Sequence, residues 1–396
     1  MSARDDIYQN TEFPSFFWRS ASSQTIIFVA ALCRLFLFGV NKTEVHGLPR
    51  FLDLLKSRVD YKTRRRGLLT VSNHISIIDD PLIWGVLPLS FSTVQGYMNH
   101  RWTFASHDLC FTNPFTSHFF TLGQTLPTHR LAHSLFGGPF QATMTEGVRL
   151  FSKISSRRNA FCPFNNRALH NIDHTASWPR DCVDPFSDIQ PAPSYPSRPG
   201  DNCLYFAPSR YACNSYSWVH IFPEGKVHQS PDKTMRYFKW GVSRLILEPT
   251  DCPDIVPIFI EGTDQVYPES RTFPRLVPRV GKAITITIGK EIDVEAVFGD
   301  LRKRWRQLAD EDSKTRGLDK WPEELLGVLS DKLMQSEEVI ELRKECTRRV
   351  RDEVLKVRRS RGHPDEDPKC GLVETYANEG RKREGRMDDG TWVKDT

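Results

Sequence analysis

Apolar residues along the chain follow two periods, which predict short strands alternating with helices. Short runs rich in β-branched and aromatic residues predict strands, at residues 68–71, 218–222, 255–260 and 283–288. Apolar residues spaced three or four apart predict helices, at residues 44–60, 77–87, 136–151, 238–247 and 323–357. Strands separated by helices are typical of an α/β domain, so we expect a largely parallel or mixed central sheet flanked by helices.

The most hydrophobic part of the chain lies near its N-terminus, over residues 13–41. Arg34 interrupts it after fourteen uncharged residues, and a charge at the bilayer centre costs about 3 kcal/mol or more. A full membrane span needs about 18 or more apolar residues. We therefore expect a monotopic helical anchor that enters one leaflet, with Arg19, Arg34 and Lys42 reaching lipid headgroups. An ordinary core helix is the alternative.

Three stretches show neither period and set the expected domain boundaries. Residues 152–217 hold eight of the 26 prolines among many Asn, Ser and Asp residues, which predicts a Pro-rich flexible insertion. Residues 1–12 are expected to form a flexible N-terminus and residues 362–396 a disordered polar tail. What remains, 42–151 together with 218–361, is predicted to form a single domain.

Composition and charge exclude several classes of protein. With 39% hydrophobic residues and a net charge of +5, the chain is globular and too weakly basic to indicate nucleic-acid binding. The first 70 residues nevertheless hold eleven Lys and Arg against six Asp and Glu, beside the expected anchor, where anionic lipid attracts positive charge. Nine cysteines without a C-x-x-C pair indicate neither a zinc ribbon nor a disulfide scaffold.

The first candidate for chemistry follows the strand at 68–71, where the chain reads Asn73-His74 and reaches Asp79 after four intervening residues. A histidine at the C-terminal end of a strand lies where α/β folds place their sites. The spacing allows the Asp79 carboxylate to bind one imidazole nitrogen, which leaves the other as a general base. With no G-x-S-x-G segment present, that base would act on a substrate hydroxyl. Alone, the spacing is also typical of an ordinary surface histidine.

Two further segments carry polar groups suited to a phosphorylated substrate. Pro223-Glu224-Gly225 predicts a turn after a strand, with an exposed carboxylate and a bare backbone that a polar headgroup can approach. Arg130 ends the segment GQTLPTHR, and its guanidinium suits phosphate, as does the charge of Lys239. Taken alone, the Pro223-Glu224-Gly225 segment is also typical of a simple turn.

Together and in this order, these segments resemble the glycerolipid acyltransferase superfamily, in which N-H-x4-D is followed by an arginine motif and by F-P-E-G. The resemblance is strongest to its phospholipid–lysophospholipid transacylases and covers about 42–151 and 218–293. It rests on VSNHISIIDDPLIWG (71–85), CFTNPFTSHFFTLGQTLPTHR (110–130), VHIFPEGKVHQ (219–229), RYFKWGVSRLI (236–246) and FPRLVPRVGKAITITIGKEID (273–293). The long 152–217 stretch and the tail depart from the family pattern.

The resemblance implies roles for individual residues. His74 would remove the proton of the lysolipid hydroxyl while Asp79 orients the imidazole. Glu224 and Gly225 would shape the glycerol-phosphate site, with Arg130 and Lys239 holding phosphate. Supporting roles fall to four other residues, with Asn73, Ser76 or nearby backbone N–H groups stabilising the oxyanion, Asp80 holding the loop and Pro223 forming the turn.

The resemblance also implies the substrates and the place of the reaction. Acyl chains would pass reversibly, without CoA, between a phospholipid such as cardiolipin or phosphatidylcholine and a lysophospholipid such as monolysocardiolipin. The protein would sit on mitochondrial inner and outer membranes facing the intermembrane space, with membrane-protein complexes as possible partners. We expect no cofactor and no metal. An acyl-CoA-dependent acyltransferase and a catalytically inactive membrane scaffold remain as alternatives.

Overall fold

The computed structural model describes residues 12–95, 97–131, 134, 137–153, 207–270, 277–317, 326–379, 385–386 and 392–393. The N-terminal residues 1–11 and most of the Pro-rich stretch, residues 154–206, lie outside the described residues. The predictions of flexibility made for them therefore stay predictions.

A mixed seven-stranded sheet forms the centre of the molecule, which confirms the predicted α/β fold. Its strands, in chain order, are β1 Lys42–His46, β2 Leu68–Ser72, β3 Trp102–Ser106, β4 Thr125–Thr128, β5 Trp218–Ile221, β6 Asp254–Glu261 and β7 Ala283–Ile288. They lie side by side in the order β1-β7-β6-β2-β5-β3-β4. All pairs are parallel except β6 with β7. A separate antiparallel pair joins β8 Gly385–Arg386 to β9 Trp392–Val393.

Helices cover both faces of the sheet. They are α1 Phe16–Gly39, α2 Leu48–Ser57, α3 Asp79–Leu82, α4 Leu89–Gln95, α5 His107–Cys110, α6 Pro114–Leu122, α7 Ala142–Leu150, α8 Gly241–Leu247, α9 Thr263–Val266, α10 Val294–Thr315, α11 Asp331–Gln335 and α12 Glu337–Ser360. Short 3-10 turns occupy Ile83–Val86, Tyr97–Asn99, Pro208–Arg210, Ala212–Asn214, Pro368–Gly371 and Glu374–Glu379.

The alternation of side chains along the strands divides the core in two. Leu69 and Val71 of β2 face a core shared with helices α7, α8, α10 and α12. Leu68 faces the opposite core, which α1, α2 and the segment after β2 cover. Successive residues of a strand point to opposite faces of the sheet. Strand β2 therefore contributes side chains to both cores and lies at the centre of a three-layer molecule.

Some predicted elements differ from the observed ones for local reasons. The predicted helix 44–60 is the strand β1 followed by α2, because Gly47 between them has a φ of +77° and interrupts any helix. The predicted helix 323–357 includes two helices, because Ser336 is extended between α11 and α12. The predicted helix 77–87 is the short helix α3 and a 3-10 turn.

Two stretches were expected to lack order, and the described parts of both contact the domain. Cys213, near the end of the Pro-rich stretch, is fully buried in the core. In the polar tail, the Glu366 side chain is only 3% exposed and binds Arg351. The described parts of both stretches therefore differ from the prediction, since a buried carboxylate with a guanidinium partner holds even a polar segment in place.

Helix α1 packs along one side on α3, α4, α6 and the 3-10 turn Ile83–Val86. Ser22 donates to the Leu122 carbonyl of α6. The helix is long and apolar enough to cross a membrane by length and composition, and 17% of its most apolar window is buried. Most of its surface is therefore not a core surface. Its exposed apolar side chains are Phe16, Phe17, Phe28, Leu32, Leu35 and Phe38.

Arg34 does not make the headgroup contact that was expected of it. Its guanidinium Nη1 lies 3.3 Å from each of the carbonyl oxygens of Gly85, Val86 and Leu87. This Nη1 group therefore binds the carboxyl end of the 3-10 turn inside the protein. Arg34 thus anchors α1 to the turn that follows α3 rather than reaching lipid.

Candidate active site

The candidate site lies where β2 and β5 end side by side. These strands are parallel neighbours, so their carboxyl ends meet at one edge of the sheet. His74 follows β2 and Phe222 follows β5, and their ring centroids are 4.4 Å apart. The sheet therefore brings together two motifs that are about 150 residues apart in sequence.

His74 and Asp79 form the predicted contact. The His74 Nδ1 atom lies 3.0 Å from Asp79 Oδ2, and the carboxylate is fully buried while the imidazole side chain is 20% exposed. A carboxylate accepts only from a protonated nitrogen, so Nδ1 carries the proton and Nε2 is left as the basic nitrogen. The pair has the geometry of a general base held in one tautomer.

The turn between these two residues is built around the Asp79 carboxylate. Oδ2 also accepts from the backbone N–H groups of Ile75 and Ser76, both at 2.8 Å, and Oδ1 accepts from the Thr263 hydroxyl at 2.6 Å. The N–H of Asp79 donates to the Ser76 carbonyl, which closes the turn. The four-residue spacing therefore lets one carboxylate fix both the turn and the imidazole.

Asn73 and Ser76 do not present their side chains to a substrate. The Asn73 amide donates to the Ile260 carbonyl and accepts from the Ile260 N–H, at 2.9 and 2.8 Å. It joins β2 to β6 and is not available for an oxyanion. The Ser76 hydroxyl is fully buried and makes no hydrogen bond within the described chain. Both expected oxyanion roles are therefore wrong for the side chains in this geometry.

Glu224 is buried rather than exposed, which corrects the expectation from the turn. One carboxylate oxygen accepts from the N–H of His74 and the other from the N–H of Arg236, both at 2.8 Å. Burial raises the pKa of Glu224 to about 8, although these two N–H groups favour the ionised form. Glu224 connects the loop after β5 to the backbone of His74.

Pro223 and Gly225 shape a contact with Lys239. The Pro223 carbonyl accepts from the Lys239 N–H at 2.8 Å. Gly225 has a φ of +61°, and a Cβ added there would lie 2.7 Å from Lys239 Nζ. The bare backbone of Gly225 therefore makes room for the lysine side chain, which is exposed and points its ammonium towards the Gly225 carbonyl at 3.4 Å.

Four cations lie near this turn. Although much of the lysine side chain is exposed, the pKa of Lys239 is lowered, first because the packed turn removes water from the ammonium and then because Arg236, Arg130 and Lys226 add positive charge nearby. Arg130 is oriented by Asp108, which its Nε contacts at 3.1 Å. Burial acts to raise the Asp108 pKa, but the hydrogen bonds from Arg130 and Ser106 outweigh it and hold the pKa at about 2. A cluster of this kind is suited to an anionic headgroup.

The buried polar side chain of His220, close to the His74–Asp79 pair, was not predicted. His220 on β5 lies with Nδ1 2.9 Å from the Thr70 hydroxyl, and its ring is 4.5 Å from that of Phe222. Burial lowers the His220 pKa to about 3, so the imidazole is neutral. Asp80, which was expected to hold the loop, binds Arg101. The Arg101 Nε atom lies 3.1 Å from the Asp80 Oδ1 atom.

The Asp80 carboxyl is kept ionised by its surroundings. Burial acts to raise its pKa, but Arg101 outweighs burial and lowers it. Within the described residues, no group of three or more His, Cys, Asp or Glu side chains is placed to hold a metal ion. The chemistry that the geometry offers is proton transfer at His74 Nε2 beside a cationic cluster.

Comparison with known proteins identifies relatives of the chain. No protein-family model matches the chain. Tafazzin of Saccharomyces cerevisiae is 32% identical over 387 residues, which is 93% of this chain and 87% of that protein. Tafazzin of Drosophila melanogaster is 28% identical over 300 residues, which is 76% of this chain and 59% of that protein. N-acylphosphatidylethanolamine synthase of Arabidopsis thaliana is 27% identical over 272 residues, 68% of this chain and 70% of that protein.

The likeness to the yeast protein spans nearly the whole chain, on both sides of the Pro-rich stretch, and so includes both motifs of the site. The predicted resemblance to acyltransferases is confirmed by these relatives. The chain is an acyltransferase, and it belongs to the tafazzin family.

Proposed function

We propose that the protein moves acyl chains between a phospholipid and a lysophospholipid without CoA. The observation that carries this proposal is the His74–Asp79 pair with its partly exposed imidazole, next to four cations suited to lipid phosphate. The active-site nucleophile is then the lysolipid hydroxyl, because no serine or cysteine of the described site contacts His74.

The reaction follows from the position of the proton. His74 Nε2 takes the proton of the lysolipid hydroxyl as its oxygen attacks the ester carbonyl of the donor phospholipid. Asp79 stabilises the resulting imidazolium through Nδ1. When the tetrahedral intermediate breaks its bond to the donor glycerol oxygen, that oxygen receives the proton. One ester is broken and one is formed, so the reaction is reversible and consumes no cofactor.

The backbone of the turn offers a donor for the oxyanion. The N–H groups of His74, Ile75 and Ser76 already donate to side-chain oxygens of Glu224 and Asp79. The next N–H, that of Ile77, follows them in the turn, and its side chain is exposed. We assign the Ile77 N–H as the donor to the developing negative charge, since it has no hydrogen-bond partner among the described residues.

Phosphate is held by the cations that follow β4 and β5. Arg130 has its orientation set by Asp108, and Lys239 lies across Gly225. A guanidinium and an ammonium together suit a phosphodiester, because one binds two oxygens and the other acts as a point charge. Glu224 and Asp80 act behind this surface as buried supports rather than as ligands.

The site faces the membrane surface in our proposal. Helix α6 packs against α1 and exposes Phe115, of which 80% is accessible, and Phe119. Leu131, next to Arg130, and Ile77, three residues after His74, are also exposed. Exposed aromatic and aliphatic side chains beside an apolar helix are typical of a monotopic membrane contact. Both lipid substrates can then enter from the bilayer without leaving it.

Family membership supports cardiolipin and monolysocardiolipin as the main lipid pair, with phosphatidylcholine as a donor. On the same basis we propose that the protein lies on mitochondrial inner and outer membranes, faces the intermembrane space and has membrane-protein complexes as partners. The 13–41 segment is the anchor in this arrangement, and residues 42–151 and 218–361 form the catalytic domain.

The acyl donor is tested with purified protein and liposomes. The liposomes contain phosphatidylcholine with a labelled acyl chain together with monolysocardiolipin, and CoA is absent. We expect the label to appear in cardiolipin. Transfer that occurs only after acyl-CoA is added would identify a CoA-dependent acyltransferase instead. No transfer from either donor would favour the inactive scaffold.

A further inference from the structure

The chain after α12 crosses the outside of the active-site loop. Helix α12 ends at Ser360, and Gly362, with a φ of +85°, turns the chain back towards the domain. We call residues 363–379 the C-terminal strap. It carries two 3-10 turns, Pro368–Gly371 and Glu374–Glu379. The strap packs on residues 226–238, which follow the Phe-Pro-Glu-Gly motif and which we call the motif loop.

Glu366 binds the strap to the backbone of the motif loop. Its Oε1 accepts from the N–H of Met235 at 2.6 Å, and its Oε2 lies 2.5 Å from Arg351 Nη2. Arg351 itself donates to the carbonyl oxygens of Met235 and Arg236, at 2.7 and 2.9 Å. The peptide units at 235 and 236 are therefore held by a buried ion pair whose carboxylate comes from the strap.

Tyr376 covers the side chain of Arg236. The guanidinium carbon of Arg236 lies 4.1 Å from the centroid of the Tyr376 ring, close enough for a cation–π contact. The rings of His228 and Tyr237 lie 5.9 and 5.8 Å from the same ring. The Tyr376 hydroxyl donates to the Cys370 carbonyl within the strap. The tyrosine ring thus contacts three side chains of the motif loop.

The other side of the motif loop holds the catalytic histidine. The N–H of Arg236 donates to Glu224, whose second oxygen accepts from the N–H of His74. The N–H of His228 donates to the His74 carbonyl at 2.8 Å. Both backbone groups of His74 are therefore bound by the motif loop or by its buried carboxylate, and the strap holds that loop from outside.

We propose that Tyr376 and Glu366 of the C-terminal strap are positioning residues of the active site. They hold Arg236 in the cationic cluster and, through Glu224, hold the backbone of His74. This inference rests on the proposed transacylation and extends it to a segment outside the family motifs. It gives the polar tail a part in catalysis, because a small displacement of a general base costs a large factor in rate.

The kinetic test compares Tyr376→Ala with Tyr376→Phe and Val373→Ala in the full chain. Val373 is an exposed strap residue and serves as the matched control. With labelled phosphatidylcholine and lysolipid in detergent micelles, we expect Tyr376→Ala to lower kcat about 10-fold or more. Tyr376→Phe keeps the ring and should restore most of kcat, and Val373→Ala should match wild type. A Tyr376→Ala protein with wild-type kcat would overturn the proposal.

Hydrogen exchange provides a readout that does not depend on activity. In Tyr376→Ala and Glu366→Gln, we expect faster exchange of the amides at His74, His228 and Arg236, with α12 exchanging as in wild type. Unchanged exchange at these amides would contradict the proposed coupling. An inactive wild-type protein would instead refute the proposed function, and the exchange result would still decide whether the strap supports the site.

Discussion

Asp79 is the residue on which the geometry of the site depends most. Its buried carboxylate accepts from the His74 imidazole, from two backbone N–H groups and from the Thr263 hydroxyl. A neutral amide at this place would turn an NH₂ group towards groups that are themselves donors. The charge of Asp79 is thus needed both for the shape of the turn and for the tautomer of His74.

We expect Asp79→Asn to lower kcat for acyl transfer by about 10³- to 10⁴-fold, as loss of the carboxylate does in other histidine–carboxylate pairs. Thr263→Val removes only the bond to Oδ1 and is the matched control, with an expected loss of about 10-fold or less. Initial rates in micelles measure both. Equal losses for the two variants would show that Asp79 acts only through the local fold.

The raised pKa of Glu224 predicts that the free energy of unfolding depends on pH. Its pKa is raised by burial from 4.5 to about 8, so the folded state disfavours the ionised form. The stability contributed by this carboxyl is fully present below pH 4.5 and is lost as the pH rises to about 8. The free energy of unfolding of wild type minus that of Glu224→Gln should fall across this window, on the order of 1 kcal/mol per pH unit.

Urea unfolding at several pH values between 5 and 8, roughly the range in which the group titrates, measures this difference. A difference that grows with pH would mean that the two N–H donors outweigh burial and that Glu224 is ionised in the folded protein. The sequence could not predict this burial. The turn residues around Glu224 are typical of an exposed carboxylate, and only the pairing of β2 with β5 places it under His74.

At the scale of elements, the predicted features are those whose local pattern is unambiguous. The central strands β2, β5, β6 and β7 are buried runs of β-branched residues, and each was predicted within one or two residues. The edge strands β1 and β4 were not predicted, because they are short and carry polar residues. Helix α10 was missed although Asp293 caps its first turn, accepting from the Ala296 N–H.

Helices α1 and α6 pack against each other and both expose apolar side chains, and α6 was not predicted as part of the membrane contact. We expect the double variant Phe115→Ser/Phe119→Ser to weaken binding to liposomes about 10-fold or more, since each aromatic side chain removed from lipid costs roughly 1.5 kcal/mol or more. Its activity in micelles should be largely retained. Cosedimentation with liposomes measures the binding.

Val280→Ser is the control for this prediction, because Val280 is exposed but lies after the 271–276 segment rather than on α6. Its liposome binding should equal that of wild type. Unchanged binding of the Phe115→Ser/Phe119→Ser protein would show that α1 alone makes the membrane contact.

At the scale of the whole molecule, the site is assembled from segments that sequence spacing does not relate. Arg130 follows β4, Lys239 follows β5, and the strap comes after α12, yet all meet around the motif loop. The sequence predicted the dyad because its two members are close along the chain. It could not predict Asp108, His220 or Tyr376 as partners, because parallel strands bring such residues together only in the folded sheet.

The central claim is that the His74–Asp79 pair catalyses acyl exchange between two lipids directly. The most direct measurement is the initial rate of CoA-free exchange, followed from phosphatidylcholine to monolysocardiolipin and in reverse, for wild type and His74→Ala. We predict that wild type reaches the same equilibrium from either direction and that His74→Ala loses about 10³-fold or more of both rates. A His74→Ala protein that exchanges acyl chains at the wild-type rate would contradict the account.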